Sequence, residues 1–154
     1  MAIKGDRRQL NDDVSFFCNQ TASAGGIMCF NTAGSGVALD QTEAAVHYKT
    51  SASGGKPAGL LLNAVVNLDL TRQKANSHKD EVQLGSKVTL LTQGWVVTDY
   101  LQSGITVLAG ESAYLGLDGR ITNANTGAAA SPKVGGFLSV KDEDGFAKVS
   151  INLP

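Results

Sequence analysis

The feature that most constrains the fold of this chain is the spacing of short apolar segments and glycine-containing turns over residues 85–154. The apolar residues of this stretch are Val88, Leu90, Trp95, Val97, Ile105, Val107, Tyr114, Leu117, Ile121, Phe137, Leu138, Val140, Val149, Ile151 and Leu153. The turn candidates between them are Gln93-Gly94, Ser103-Gly104, Ala109-Gly110, Asp118-Gly119, Thr126-Gly127 and Asp144-Gly145. Short strands separated by such turns are typical of an antiparallel sandwich or a small barrel. The Asp-Gly pairs are strong hairpin signals, because glycine accepts the positive φ of tight turns.

The first part of the chain also predicts strands, with less regular spacing. Residues 14–18 and 27–30 are apolar patches that each predict a short buried strand. Residues 59–70 form the most apolar run and predict a central buried strand pair, with Asn63 or Asn67 marking a break or bulge. Residues 38–48 have the composition of a helix, but the alternation of Val46, Tyr48 and Thr50 favours a strand.

Length and composition indicate one globular domain with an N-terminal extension. The chain has 154 residues, of which 42% are hydrophobic and 18% charged, and this is enough to bury one core. Residues 1–13 are polar, and their sequence shows neither the period of a helix nor that of a strand. They therefore predict an extended arm that is either frayed or ordered on a partner. A single β domain then covers residues 14–154. The stretches 71–83 and 122–133 predict surface loops, and the first could instead be a partner-contact loop.

Charge and cysteine usage exclude several classes of protein. A net charge of -1 argues against electrostatic binding of nucleic acid. No apolar run approaches the ~20 residues that cross a membrane, and no apolar stretch of a secretory signal follows the charged start. We therefore expect synthesis in the cytoplasm, with Cys18 and Cys29 as reduced core thiols and a disulfide as the alternative. The histidines, His47 and His78, are not clustered, which argues against zinc.

Motifs for catalysis are incomplete. The stretch from Gly110 to Tyr114 begins like a nucleophile elbow but ends in tyrosine where glycine is required. The acidic residues 142–144 are too few for a calcium loop, which spreads its ligands over about twelve positions, and they predict a hairpin turn instead. We therefore predict a structural or binding protein that uses no cofactor and is not an enzyme.

Beyond these patterns, the order of several motifs over residues 56–149 resembles a known family. The motifs are Lys56-Pro57-Ala58-Gly59-Leu60-Leu61-Leu62, Val65-Val66-Asn67-Leu68-Asp69-Leu70-Thr71, Asp80-Glu81-Val82, Gly85-Ser86-Lys87-Val88-Thr89-Leu90-Leu91, Gly94-Trp95-Val96-Val97-Thr98, Ala109-Gly110-Glu111, Tyr114-Leu115, Gly119-Arg120-Ile121-Thr122, Val134-Gly135-Gly136-Phe137-Leu138 and Asp144-Gly145-Phe146-Ala147-Lys148-Val149. Together they resemble the capsid cement (head decoration) proteins of tailed bacteriophages, which are small β-proteins that coat assembled heads.

The resemblance implies a fold, an assembly state and a partner. The fold would be a jelly roll or a related barrel, and the protein would assemble as a homotrimer. It would bind the major capsid protein on the outer surface of an expanded icosahedral shell, and so belong to the virion. The resemblance brings no catalytic residues, cofactor, nucleic acid or membrane with it. The residues that we expect to contact the capsid are Lys4, Arg7 and Arg8 in the arm and Arg72 and Lys74 in the polar loop.

Two other functions remain open at this point. One is another virion part, such as a head fibre or a tail component. The other is a carbohydrate- or ligand-binding β-sandwich, in which Trp95, Tyr100 or Tyr114 would form a stacking surface in a cleft. These aromatic residues are not interleaved with basic residues, so they do not predict a platform for stacking nucleic-acid bases.

Overall fold

The structure is a computed structural model, and it describes residues 3–31, 45–65, 68–69, 74–75, 81–124 and 131–153. Within these residues the chain is mainly β-strand, which confirms the predicted fold class. The elements are β1 (Ile3–Cys18), β2 (Ala22–Ser23), β3 (Ile27–Phe30), β4 (Ala45–His47), β5 (Pro57–Ala64), β6 (Leu68–Asp69), β7 (Lys74–Ala75), β8 (Glu81–Val82), β9 (Lys87–Thr98), β10 (Ser112–Leu115), η1 (Leu117–Gly119, a 3-10 helix), β11 (Ile121–Thr122), β12 (Lys133–Phe137) and β13 (Ala147–Asn152).

Strands β1, β4, β3, β5 and β9 follow one another as hydrogen-bonded neighbours, and β9 pairs with β1 again to complete a ring. β1 and β4 are parallel, and the other neighbours in the ring are antiparallel. Such a circuit of pairings is that of a small barrel, one of the two predicted architectures. The contact that closes it is short, because only Phe17 and Cys18 of β1 pair with β4.

Strand β9 also begins an open sheet, in the order β9, β13, β12, β10, β11. One edge of β9 is divided between two partners, since residues 88–91 pair with β5 and residues 93–98 pair with β13. The other edge pairs with β1 from Lys87 to Thr98. The ring and the open sheet therefore share β9, and the position of each depends on it.

The predicted turn at Gln93-Gly94 is wrong, because β9 continues through it. Gly94 has a φ of 143°, and a Cβ atom there would lie 2.1 Å from the carbonyl oxygen of Arg8 in β1. The glycine thus permits a close approach between two strands. Turns or bends do occur at Ser103-Gly104, Ala109-Gly110, Asp118-Gly119 and Asp144-Gly145. Thr126-Gly127 lies outside the described residues.

The core is densest where β5 meets β9. Residues 58–62 and 88–91 are buried at every position, as expected for strand segments that are covered on both faces. Each fully buried leucine here contributes about 1.5–3 kcal/mol through removal of apolar surface from water. The apolar run from residue 59 is therefore a central strand, and the register shift between Leu61 and Asn63 confirms the predicted bulge. This strand pairs with β3 and β9, whereas residues 68–69 pair with β7 in a separate sheet. The prediction that residues 59–70 form a pair of central strands is therefore wrong.

The other segments before β9 match their predicted structure in part. Residues 27–30 form β3 as predicted, and they are buried apart from Phe30. Residues 14–18 form the end of β1, but their predicted burial is wrong, since within this stretch only Cys18 is buried. Residues 45–47 form a strand, which confirms the preferred interpretation for the part of 38–48 that is described. Residues 81–82, predicted as part of a surface loop, form β8, in which Val82 is buried.

The N-terminal residues are extended but do not form an arm separate from the β domain. β1 runs without a break across the predicted boundary at residue 13, and it pairs antiparallel with β9 with several register shifts. Residues 5–12 are exposed at every position, so neither face of this part of the strand is packed against the protein. The absence of alternation in this segment, which predicted an arm, reflects a strand with two solvated faces.

Candidate partner-binding surfaces

Lys4, the first of the predicted contact residues, holds the start of β1 against a loop at the opposite end of the sequence. Its Nζ lies 3.0 Å from Oδ2 of Asp142 and 4.6 Å from the ring centroid of Phe146. The two charged side chains are 42% and 44% exposed, so this ion pair is partly screened by solvent and stabilises the fold only modestly.

Asp142 organises the loop between β12 and β13. Its Oδ1 accepts hydrogen bonds from the backbone N–H groups of Asp144 at 3.0 Å and Phe146 at 2.9 Å. The hydrogen bond from Phe146, followed by the one from Lys4, lowers the pKa of the Asp142 carboxyl below its ordinary value. The acidic run is thus a hairpin turn, as predicted, in which one carboxylate closes the loop.

Beside this turn, three large apolar side chains face solvent. Leu108, Leu138 and Val140 are 55%, 48% and 56% exposed. Leu138 and Val140 are among the apolar residues that predicted strands, yet both lie outside the strands. Leu108 was not among those residues. We call Leu108, Leu138 and Val140, together with the adjoining Lys4–Asp142 pair, the loop surface.

Hydrogen bonds tie the two loops of this surface together. The N–H of Gly110 donates to the carbonyl oxygen of Phe137 at 2.8 Å, and Lys141 Nζ donates to the carbonyl oxygen of Ile105 at 3.5 Å. Oε2 of Glu111 accepts from the side chain of Asn123 and from the N–H of Leu108, both at 2.9 Å. These two hydrogen bonds, the first being the stronger cause, lower the pKa of Glu111. The apolar side chains are therefore displayed on braced loops.

Arg7 and Arg8 lie on the exposed part of β1, opposite Val96 and Trp95 of β9. Among the residues that the structure describes, neither arginine forms an ion pair. Lys74 lies in β7, opposite Asp69 of β6, and Arg72 lies outside the described residues. The structure therefore brings Lys4, Arg7 and Arg8 together on one strand and does not test their grouping with Arg72 and Lys74.

A groove that the sequence analysis did not predict runs over β10, β12 and β13. It has a volume of about 590 Å³, and Gly135, Gly136, Glu111, Lys133, Ser150 and Asn152 are among the residues that line it. A Cβ atom on Gly135 would lie 1.8 Å from the carbonyl oxygen of Ser150, whereas one on Gly136 would have 3.4 Å to its nearest neighbour. The Gly-Gly pair inside an apolar segment was the available signal, because glycine within a strand marks a close approach or a missing side chain.

The aromatic residues proposed for sugar stacking are already in contact with other side chains. Lys148 Nζ lies 3.7 Å from the ring centroid of Trp95. Tyr100 stacks on Tyr48 with centroids 5.1 Å apart, and the guanidinium of Arg120 lies 4.9 Å from the Tyr100 centroid. Tyr114 lies in β10, opposite Thr122. A second cavity is lined by residues that include Ser51, Ile105 and Leu115. Neither this cavity nor the groove is lined by Trp95, Tyr100 or Tyr114.

The two cysteines are buried and free, as predicted for core thiols. The thiol of Cys18 donates to the carbonyl oxygen of Gln20 at 2.9 Å. Burial raises the pKa of both thiols above the ordinary value, which makes them poor nucleophiles at neutral pH. Within the described part of the chain, no cluster of His, Cys, Asp and Glu side chains could hold a metal ion.

No family model matches the chain, and no curated protein matches it. In the part of the chain that the structure describes, there is no helix with the length and apolar character required to span a membrane.

Proposed function

We propose that this protein is a structural component of a tailed-bacteriophage virion that decorates and stabilises the head. It is made in the host cytoplasm, assembles as a homotrimer and binds the major capsid protein on the outer surface of the expanded shell. The motif order over residues 56–149 supports this class of protein, and the loop surface supplies a contact of the kind that the function needs.

The observation that carries the proposal is the chemistry of the loop surface. Leu108, Leu138 and Val140 are about half exposed, while the Lys4–Asp142 pair adjoins them. Large exposed apolar side chains on two adjoining loops, with charged groups nearby, are typical of sites that bind another protein. Because hydrogen bonds brace both loops, little conformational entropy would be lost when a partner covers them.

Binding of this kind would strengthen a shell by mass action. A ligand that binds the assembled shell and not the free subunits adds its binding free energy to the stability of the shell. A trimer that contacts neighbouring shell subunits also gains avidity, so each individual contact can be weak. Arg7 and Arg8 would extend the contact along β1, while Lys4 acts at the border of the loop surface.

The proposal is tested by co-sedimentation with empty expanded heads of a tailed phage. By light scattering we expect a mass equal to a multiple of three 16.0 kDa chains, and with heads we expect saturable pelleting in fixed proportion to shell subunits. A protein that stays in the supernatant with every expanded head tried would overturn the proposal, and so would equal pelleting with unrelated protein particles.

A matched pair of variants locates the contact. Leu138→Ser removes an apolar side chain from the loop surface. Leu84→Ser removes a leucine that is also exposed, at 59% against 48% for Leu138, from the turn that is hydrogen-bonded to Cys18, at the far end of β1. We expect the first variant to bind heads about tenfold more weakly, as for an interface residue worth more than 1 kcal/mol, and the second to bind as the unmodified protein does. The reverse order would exclude the loop surface as the contact.

A further inference from the structure

The exposed part of β1 has an edge that no described strand covers. Residues 3–17 pair with β9 on one side. On the other side, pairing with β4 involves only Phe17 and Cys18. Residues 5–12 are exposed at every position. One edge of this segment is hydrogen-bonded to β9, while its two faces are solvated and its other edge is unpaired among the described strands. An open strand edge of this length is a template on which another strand can pair.

The charged residues along this edge lie symmetrically on either side of Leu10, with opposite signs on the two sides. Arg7 and Arg8 precede Leu10, and Asp12 and Asp13 follow it at matching distances. Leu10 itself is 60% exposed and falls within a register shift, so it has no directly opposite residue in β9. Residues 7–13 therefore carry a basic half, an apolar centre and an acidic half, while Asp6 lies outside them and would stand opposite Val14 in a pairing centred on Leu10.

We propose that β1 pairs antiparallel with β1 of a second copy of this chain, about a two-fold axis at Leu10. Antiparallel pairing centred on Leu10 places Arg7 opposite Asp13 of the second copy and Arg8 opposite Asp12. The same contacts are repeated on the other side of the axis, as in any isologous interface. The two Leu10 side chains meet at the centre and remove apolar surface from water.

The order of the charges determines whether this edge pairs with a second copy or is protected from association. Charged side chains on an edge strand usually prevent association, because like charges meet when two copies align. Here the sign changes at Leu10, so an antiparallel pair brings opposite charges together at every charged position from Arg7 to Asp13. A parallel pair would instead place like charges side by side, which is unfavourable. The pattern thus selects both the partner and the direction of pairing.

The local hydrogen bonds leave these side chains available. Oδ2 of Asp12 accepts from Gln9 at 3.1 Å, and Oδ1 of Asp13 accepts from the N–H of Ser15 at 2.7 Å. Within the described part of the chain, the second oxygen of each carboxylate has no protein partner. Pairing through β1 does not depend on the proposed binding to a shell. On a shell, it would link copies that occupy neighbouring sites.

Charge reversal followed by mixing tests the pairing. One variant carries Arg7→Asp and Arg8→Asp, and the other carries Asp12→Arg and Asp13→Arg, so each has like charges on both halves of β1. Pairing through β1 joins two of the proposed trimers, so by light scattering we expect each variant alone to have half the mass of the unmodified protein. The dissociation constant between trimers should rise on the order of a hundredfold, because each pair of β1 strands loses four favourable charge pairs. An equimolar mixture should regain the full mass, because an acidic strand then meets a basic one.

Cysteine cross-linking tests the register. Directly opposite residues of antiparallel strands have Cα atoms about 4.5–5.5 Å apart, which is within the range of a disulfide. Leu10→Cys should therefore give a covalent dimer on mild oxidation. Leu84→Cys, at a leucine of similar exposure, should remain monomeric on a denaturing gel. Cys18 and Cys29 are buried and do not interfere.

Several results would overturn the proposal. Equal masses for the unmodified protein and both charge-reversed variants would do so, as would a mixture that does not regain mass, or cross-linking no greater at position 10 than at position 84. Equal masses combined with reduced pelleting of the variants with phage heads would assign β1 to the shell instead of to a second copy. Because mass is measured without heads, failure of this pairing is distinguished from failure of the proposed function.

Discussion

The two edges of β9 have opposite surroundings. On one edge, β9 pairs with β5 and β13 among side chains that are largely buried. On the other edge, it pairs with β1, where residues 5–12 are exposed. Both edges carry backbone hydrogen bonds, yet a hydrogen bond contributes only about 0.5–1.5 kcal/mol net, and burial supplies most of the stability. The comparison teaches that strand pairing in this protein does not imply strong attachment, and that the exposed part of β1 is the segment expected to open first.

The largest expected difference between the two edges comes from shortening one leucine on each. Leu90→Ala creates a cavity where β5 meets β9 and should lower the free energy of unfolding by about 2–5 kcal/mol. Leu10→Ala, on the exposed part of β1, should change it by less than about 0.5 kcal/mol. Urea denaturation of both variants measures the difference, and similar losses would show that β1 is packed as tightly as the core.

A steric probe on the buried side should have the next largest effect. Gly135→Ala would place a Cβ atom 1.8 Å from the carbonyl oxygen of Ser150 and should destabilise the protein by about 3 kcal/mol, since the paired backbones of β12 and β13 must move apart. Gly136→Ala is the control, because its Cβ atom would have 3.4 Å to its nearest neighbour. Thermal unfolding of the pair gives the comparison, and equal melting temperatures would contradict the close packing of β12 on β13.

The same kind of clash on the exposed side should be relieved locally. Gly94→Ala would place a Cβ atom 2.1 Å from the carbonyl oxygen of Arg8, and β1 can move away because no described strand pairs with its other edge at this position. We expect a loss of about 1–2 kcal/mol and faster hydrogen exchange confined to β1, measured by mass spectrometry. Exchange that accelerates equally in β5 would show that the two edges of β9 open together.

The smallest expected effect concerns the ion pair that ties β1 to the loop between β12 and β13. Hydrogen bonds and Lys4 lower the pKa of Asp142 from its ordinary 3.8. The interaction is therefore complete above pH 3.8 and is lost as the pH falls through the lowered pKa, because the folded protein must then take up the proton. Lys4→Ala should raise this pKa only partly, since the Phe146 N–H remains the larger cause.

Titration of the Phe146 amide shift by NMR measures the pKa of Asp142 in both proteins. Hydrogen bonds from Asn123 and Leu108 lower the pKa of Glu111. That pKa is the internal control, because Lys4→Ala should leave it unchanged. An Asp142 pKa unaffected by the substitution would mean that Lys4 does not contact it in solution.

The sequence predicted those parts of the fold in which local pattern and tertiary environment agree. Residues 27–30 and the apolar run from residue 59 are strands because burial demands continuous apolar side chains there. β1 was missed since a strand with two solvated faces has no period to detect. The continuity of β9 through Gly94 could not be predicted, because the reason for that glycine is a carbonyl group at Arg8, far away in the sequence.

The candidate surfaces were also predicted only in part. The charges of Lys4, Arg7 and Arg8 identified β1 as a candidate contact segment. The pairing of Lys4 with Asp142 could not be predicted, because the two residues are far apart in the sequence and no local pattern links them. The exposure of Leu138 and Val140 is opposite to what their apolar character predicts. It depends on the length of the β12–β13 loop, which carries them out of the sheet.

The pairing of Ile3 with Thr98 has a consequence for synthesis. β1 leaves the ribosome well before β9, and at the usual rate of about 5–20 residues per second several seconds pass before its partner strand is available. During that interval the ring cannot close, and contacts so distant in sequence slow folding even after release. The charges on residues 4–13 would then have an additional role, because they keep an unpaired nascent strand soluble until the strand that completes it has been made.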